Sequence, residues 1–201
     1  MLIVAATERE LAHVRRLDTF CCGVGPVEAA VRTARHLAEH RPDAVLHIGL
    51  AGARTLEPPA LVLGSQSVYE DARGPLVPSR AEPDEELLAR MRRALPDAHV
   101  LPIGTSAHVG GTSACEVEAM EGFGVLRACA LAGVPAVELR AISNAIDEPD
   151  RAKWRFDDAL AALAAALAVV PKDVGSSGPP WRLSADEGSS VPRRSPDEAS
   201  R

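Results

Sequence analysis

Residues 19–52 read TFCCGVGPVEAAVRTARHLAEHRPDAVLHIGLAG, and the order of patterns inside this stretch decides the fold. Thr19 to Gly23 is a short apolar run that ends in Gly23-Val24-Gly25-Pro26, a turn with proline placed to open a helix. Val27, Ala30, Val31, Ala34, Leu37 and Ala38 then recur at helical spacing, which predicts an amphipathic helix. Arg41-Pro42-Asp43 breaks it, and Ala44 to Ile48 is an apolar run of the kind found in strands covered on both faces. Strand, helix and strand at this spacing predict a right-handed βαβ crossover and a mostly parallel sheet.

The pattern continues outward in both directions. Leu2 to Ala6 is a further buried strand, and Leu61 to Tyr69, Val100 to Ile103 and Ala136 to Ile142 are strand-like. Helices are expected over Asp84 to Leu95, Glu116 to Ala132 and Phe156 to Val170, the second closed by Gly133 and Pro135. From Pro171 onward the chain is rich in Ser, Gly, Pro and charge. It cannot bury enough apolar surface to offset ordering, so residues 1–170 are expected to form one domain and 171–201 a disordered tail.

Composition narrows the function. The 201 residues carry a formal charge of −6, which disfavours a general nucleic-acid binder. The pairs Arg15-Arg16 and Arg92-Arg93 read as solvated helix faces. No run of about 18 uncharged apolar residues suggests a membrane span, and no basic leader opens the chain, so a cytoplasmic protein is expected. Cys21, Cys22, Cys115 and Cys129 lack the spacing of a zinc site and read as buried, reduced thiols.

Three segments in order carry a family resemblance: Ala5-Ala6-Thr7-Glu8-Arg9-Glu10, His47-Ile48-Gly49-Leu50-Ala51-Gly52-Ala53, and Val117-Glu118-Ala119-Met120-Glu121-Gly122 followed by Val137-Glu138-Leu139-Arg140-Ala141-Ile142-Ser143-Asn144. Together they resemble nucleosidases of the purine nucleoside phosphorylase superfamily, and are most similar to the futalosine hydrolases among them. The resemblance implies an α/β three-layer fold, with a twisted mixed central sheet flanked by helices. It implies an N-glycosyl hydrolase that acts on a purine nucleoside, as a homo-oligomer (dimer or higher), with no metal or organic cofactor.

Cleaving an N-ribosidic bond builds positive charge on the ribose and negative charge on the departing base. Anionic groups near the sugar and hydrogen-bond donors near the base therefore stabilise the transition state. The resemblance gives Glu121 to the ribose hydroxyls, Met120 to the ribose face and Glu10 to the attacking water, with Glu8 as the local competitor. Gly49, Ala51 and Gly52 read as a small-residue loop where backbone groups can approach a flat base. Ala51, Gly52 and Ser143 are further substrate-binding positions in the terms of the resemblance. Either Trp154 or Phe156 falls where the 5′ substituent would be capped.

Phosphorylases of the superfamily hold phosphate with Gly and Arg in the first loop and with Arg and Ser after the third strand. Here those places carry Glu8, Glu10, His47 and Leu50, so water is the expected nucleophile. His47, late in an apolar strand, reads as a satisfied core histidine. Asn144 replaces an aspartate of the methylthioadenosine/S-adenosylhomocysteine nucleosidases. Its amide can donate to a 6-oxo group or N7 and accept from a ring N–H, which suits hypoxanthine. Futalosine is thus the expected substrate, with methylthioadenosine or S-adenosylhomocysteine as the alternative. The segment Gly104 to Glu116 is shorter than in the family and has no Phe, Tyr or Trp; only His108 could stack there. A nucleoside-binding protein without turnover is the rival from outside the enzymes.

Overall fold

The computed structural model describes residues 1–14, 17–72, 74–110 and 114–171. Arg15-Arg16 and nearly all of the expected tail lie outside them. In chain order the elements are β1 (Leu2–Ala5), α1 (Glu8–Leu11), β2 (Asp18–Cys21), α2 (Pro26–His40), β3 (Val45–Ala53), β4 (Leu61–Tyr69) and β5 (Arg80–Ala81). There follow α3 (Glu85–Ala94), β6 (His99–Thr105), β7 (Val117–Ala119), α4 (Gly122–Ala132), β8 (Ala136–Ala145), a 3-10 turn (Arg151–Lys153) and α5 (Phe156–Val169).

The expected βαβ unit is present: β1 pairs in parallel with both β2 and β3. β3 also pairs in parallel with β8, while β4 runs antiparallel to β8 and β7 antiparallel to β3. With β4–β6 and β6–β7 parallel, the five strands β3, β7, β6, β4 and β8 form a closed circuit from which β1 and β2 extend. The sheet is therefore mixed, as expected, and partly curled on itself.

Alternation along the strands builds the layers. Leu2, Val4 and Val45 face α2 and α4, where they join Ala29, Leu37, Val125, Leu126 and Cys129. Ile3, Ala5, Leu46 and Ile48 point the other way, onto Leu87 and Met91 of α3 and Leu163 and Leu167 of α5. Both faces are buried, and the alternation between the two clusters follows from the pleat. Helix α4 ends where expected, at a left-handed Gly133.

Three expectations are corrected. Residues 116–121 are not the start of a helix: Val117–Ala119 is a strand held between β6 and β3, and α4 begins only after Glu121. The small-residue run from Gly49 to Gly52 is not a loop; it continues β3 as far as Ala53. On α2 the buried face is Pro26, Ala29, Thr33 and Leu37, whereas Val27 and Val31 of the expected apolar face are exposed.

Candidate active site

Strand β3 is the parallel neighbour of both β1 and β8, so the carboxyl ends of all three share one edge of the sheet. Ligands of open α/β sheets bind at such an edge. A cleft of about 390 Å³ lies there, and Glu10, Ala51, Gly52, Met120, Glu121, Ser143, Asn144 and Trp154 all line it. The segments that were singled out in the sequence are thus brought together in space.

Glu10 reaches the cleft through a capping box. The Thr7 side chain accepts from the Glu10 N–H, and Glu10 Oε2 accepts from the Thr7 N–H at 2.9 Å and the Thr7 hydroxyl at 2.8 Å. Its Oε1 accepts from the Leu50 N–H at 3.1 Å. Glu8 is exposed and outside the cleft lining, so of the two it is Glu10 that borders the cleft.

Glu121 stands at the N-cap of α4 and is buried. Its Oε1 accepts from the Gly25 N–H at 3.1 Å, and its Oε2 lies 3.7 Å from an Arg140 terminal nitrogen. Burial pushes this carboxyl above the usual glutamate range, although Arg140 and the Gly25 N–H pull the other way.

At the end of β8, the Ser143 hydroxyl donates to Asn144 Oδ1 at 2.7 Å, and Asn144 Nδ2 donates to the Ala145 carbonyl at 2.8 Å. These two bonds use one of the two amide N–H groups and one of the two carbonyl lone pairs of Asn144. Gly52 is needed opposite: a Cβ there would lie 3.0 Å from Asn144 Nδ2.

Trp154 and Phe156 both line the cleft, with ring centroids 5.4 Å apart, so the alternative between them becomes a shared wall. The Trp154 indole N–H is committed to the Glu148 carbonyl at 3.0 Å. Arg151 lies over the Trp154 ring, and Arg9, ion-paired with Asp157 at 2.9 Å, lies over that of Phe156, so two arginines border this aromatic end of the cleft. From the short segment after β6, His108 and Val109 also line the cleft; Gly111 to Ser113 fall outside the described residues.

His47 is fully buried and away from the cleft lining, as a core histidine should be. Its Nδ1 meets the Val4 carbonyl at 3.1 Å and its Nε2 meets an Arg140 terminal nitrogen. Burial, reinforced by Arg140, holds its pKa well below the ordinary value. Cys22 and Cys129 are buried thiols that desolvation pushes up to about 12. Cys21 and Cys115 are only half-buried, which corrects the reading of every cysteine as a core residue.

Sequence reading assigned no role to Arg140 or Glu138, which form an ion pair at 2.8 Å with both side chains buried. Their signal was available: two opposite charges, two residues apart on one face of an otherwise apolar strand, must find partners inside. Among the described residues no group of three or more His, Cys, Asp or Glu could hold a metal, and no helix is long and apolar enough to cross a membrane.

The family model described as the phosphorylase superfamily matches residues 11–170. The futalosine hydrolase of Streptomyces coelicolor is 34% identical over 180 residues, covering 75% of this chain and 76% of that protein. A 5′-methylthioadenosine/S-adenosylhomocysteine nucleosidase of Actinobacillus succinogenes is 29% identical over 152 residues, covering 62% and 66%. In fold, a futalosine hydrolase mutant of Helicobacter pylori superimposes with a TM-score of 0.72 at 18% identity, covering 83% of this chain and 97% of that one.

Proposed function

The chain belongs to the phosphorylase superfamily, and from that premise we propose that it hydrolyses the N-ribosidic bond of a purine nucleoside, with futalosine as substrate. Hypoxanthine and dehypoxanthinylfutalosine are the products, and menaquinone biosynthesis is the pathway served. The observation that carries this reading is the convergence of Glu10, Glu121 and Asn144 on one cleft.

The roles follow from the chemistry. Glu121 accepts hydrogen bonds from the ribose hydroxyls while Met120 packs on the sugar. As the C1′–N9 bond breaks, its electron pair leaves with the purine, and the Asn144 amide donates a hydrogen bond to the base. The water oxygen bonds to C1′ and its proton passes to Glu10, which needs only a carboxylate within hydrogen-bond reach. The purine recovers a proton from solvent, because an amide cannot act as an acid. The aromatic rim of Trp154 and Phe156, bordered by Arg151 and by the Asp157-paired Arg9, suits an aromatic 5′ arm better than a methylthio group.

We also assign the enzyme to the cytoplasm, with no cofactor, and to a homo-oligomeric state. The exposed Val24, Val27 and Val31 support the last point, since Val24 borders the cleft as well.

The test is to incubate the protein with futalosine, inosine and methylthioadenosine, with and without phosphate, and to follow the free base. Phosphate-independent release of hypoxanthine from futalosine is expected. Adenine release from methylthioadenosine would favour the nucleosidase alternative. A strict phosphate requirement, or binding without any product, would overturn hydrolysis.

A further inference from the structure

We propose that Glu138 and His47 are positioning residues that hold the Arg140 guanidinium behind the cleft, setting its charge between Glu10 and Glu121; the inference rests on the nucleosidase reading above. None of the three lines the cleft, so each can influence a substrate only through the two carboxylates that do.

Burying a guanidinium and a carboxylate is costly unless every polar atom finds a partner. Here the nitrogens are shared out. Arg140 Nε donates to Glu138 Oε1 at 2.8 Å. One terminal nitrogen meets His47 Nε2 and lies 3.7 Å from Glu121 Oε2. The other faces the Cα of Gly49: a Cβ built there would be 2.1 Å from that nitrogen and 2.9 Å from Glu10 Oε1. Gly49 thus leaves the gap through which the guanidinium approaches Glu10.

The supports are themselves fixed. Ser67 donates its hydroxyl to Glu138 Oε2. Glu138 fits only because the start of α4 is bare, since a Cβ on Gly122 would come within 2.3 Å of Glu138 Oε2. His47 gives its Nδ1 proton to the Val4 carbonyl, which makes Nε2 the acceptor for Arg140 and keeps the ring neutral. A protonated ring would have no lone pair to offer and would repel the guanidinium.

The chemical consequence concerns two like charges in one cleft. Glu10 disfavours the ionisation of Glu121, and the Arg140 cation behind the cleft offsets that repulsion. Burial works against the Arg140 charge, but Glu138, Glu121 and Glu10 together hold its pKa above the ordinary value. With Arg140 fixed, its charge favours the ionised form of Glu121. The benefit of that carboxylate grows as positive charge develops on the sugar, so it appears in the transition state more than in the bound substrate.

The variant Glu138→Gln keeps the shape and an acceptor for Arg140 Nε but removes the charge. It should lower kcat by about 10–100-fold while KM stays within about threefold. A cationic iminoribitol nucleoside analogue should lose affinity by a similar factor, and the neutral nucleoside should not. His47→Gln should give the same pattern. If Glu138→Gln does not fold, Ser67→Ala loosens the same carboxylate and should show a smaller loss with the same split. A folded Glu138→Gln with unchanged kcat and unchanged preference for the cation overturns the proposal. So does an equal loss for the cationic and neutral ligands, which is what a merely structural role predicts. If the native enzyme releases no base from any nucleoside, the nucleosidase reading fails instead, and the comparison of the two ligands still decides the positioning role.

Discussion

Glu10 closes the capping box of α1 and presents the same carboxylate to the cleft, so its position is fixed before any substrate arrives. Glu10→Gln should therefore reduce kcat by about 10²–10⁴-fold. Glu8→Gln, in an exposed side chain, should leave kcat within about twofold on the same principle; steady-state assays on futalosine check both. His47 supports a second prediction, about stability. An unfolded histidine takes up a proton below about pH 6.5, and the buried His47 resists it, so the folded state holds fewer protons there. Its contribution to stability is complete above that pH and falls as pH drops, by about 1.4 kcal/mol per pH unit for one proton. Glu121 works in the opposite sense: its raised carboxyl gives stability that is present below about pH 4.3 and is lost as pH rises through the folded value. Comparing urea unfolding of native protein and His47→Gln between pH 7 and 5 isolates the histidine, and the variant should show the flatter profile. At this scale, that Glu10, Met120, Glu121 and Asn144 would meet in one cleft was legible because each sits in a short stretch with recognisable neighbours. The bond from His47 to Arg140 was not, because it joins distant stretches of chain and depends on the bare backbone of Gly49.

Helices α2 and α4 pack so closely that a side chain on Gly124 has no room: its Cβ would lie 2.4 Å from the Pro26 carbonyl oxygen and 3.1 Å from the Ala30 nitrogen. Both obstacles are backbone, so neither can rotate away. Gly124→Ala should destabilise the fold by about 1–3 kcal/mol, read as a lower Tm in a thermal melt, and an unchanged Tm would contradict this packing. Periodicity located most of the elements, because long amphipathic or wholly apolar segments repeat their signal. It failed over residues 116–121. Val117–Ala119 is too short to show a period, and it is a strand because Ile103 and Ala53 pair with Val117 from either side. Neither partner is near it in sequence. The local pattern agreed with a helix, and the tertiary pairing decided otherwise.

On α2 the disagreement between pattern and burial has a consequence for the whole molecule. Val27, Val31, Ala34 and Ala38 repeat at helical spacing, yet all are exposed in the single chain, Val27 by 70% and Val31 by 63%. Val24, 56% exposed, continues the stripe to the mouth of the cleft. An apolar helical stripe that the chain's own core does not cover is the kind of surface a second copy covers, and a twofold arrangement would set α2 against its equivalent. Such a copy would also border the cleft at Val24, so assembly and substrate binding should change together. Sedimentation equilibrium should find a dimer at micromolar concentration, and the double variant Val27→Asp, Val31→Asp should find a monomer. If the partner completes the cleft mouth, the monomer should bind futalosine about tenfold more weakly, the loss expected for about 1.4 kcal/mol of contact. A native protein that sediments as a monomer and turns over futalosine with an unaltered KM would show that the stripe serves neither purpose.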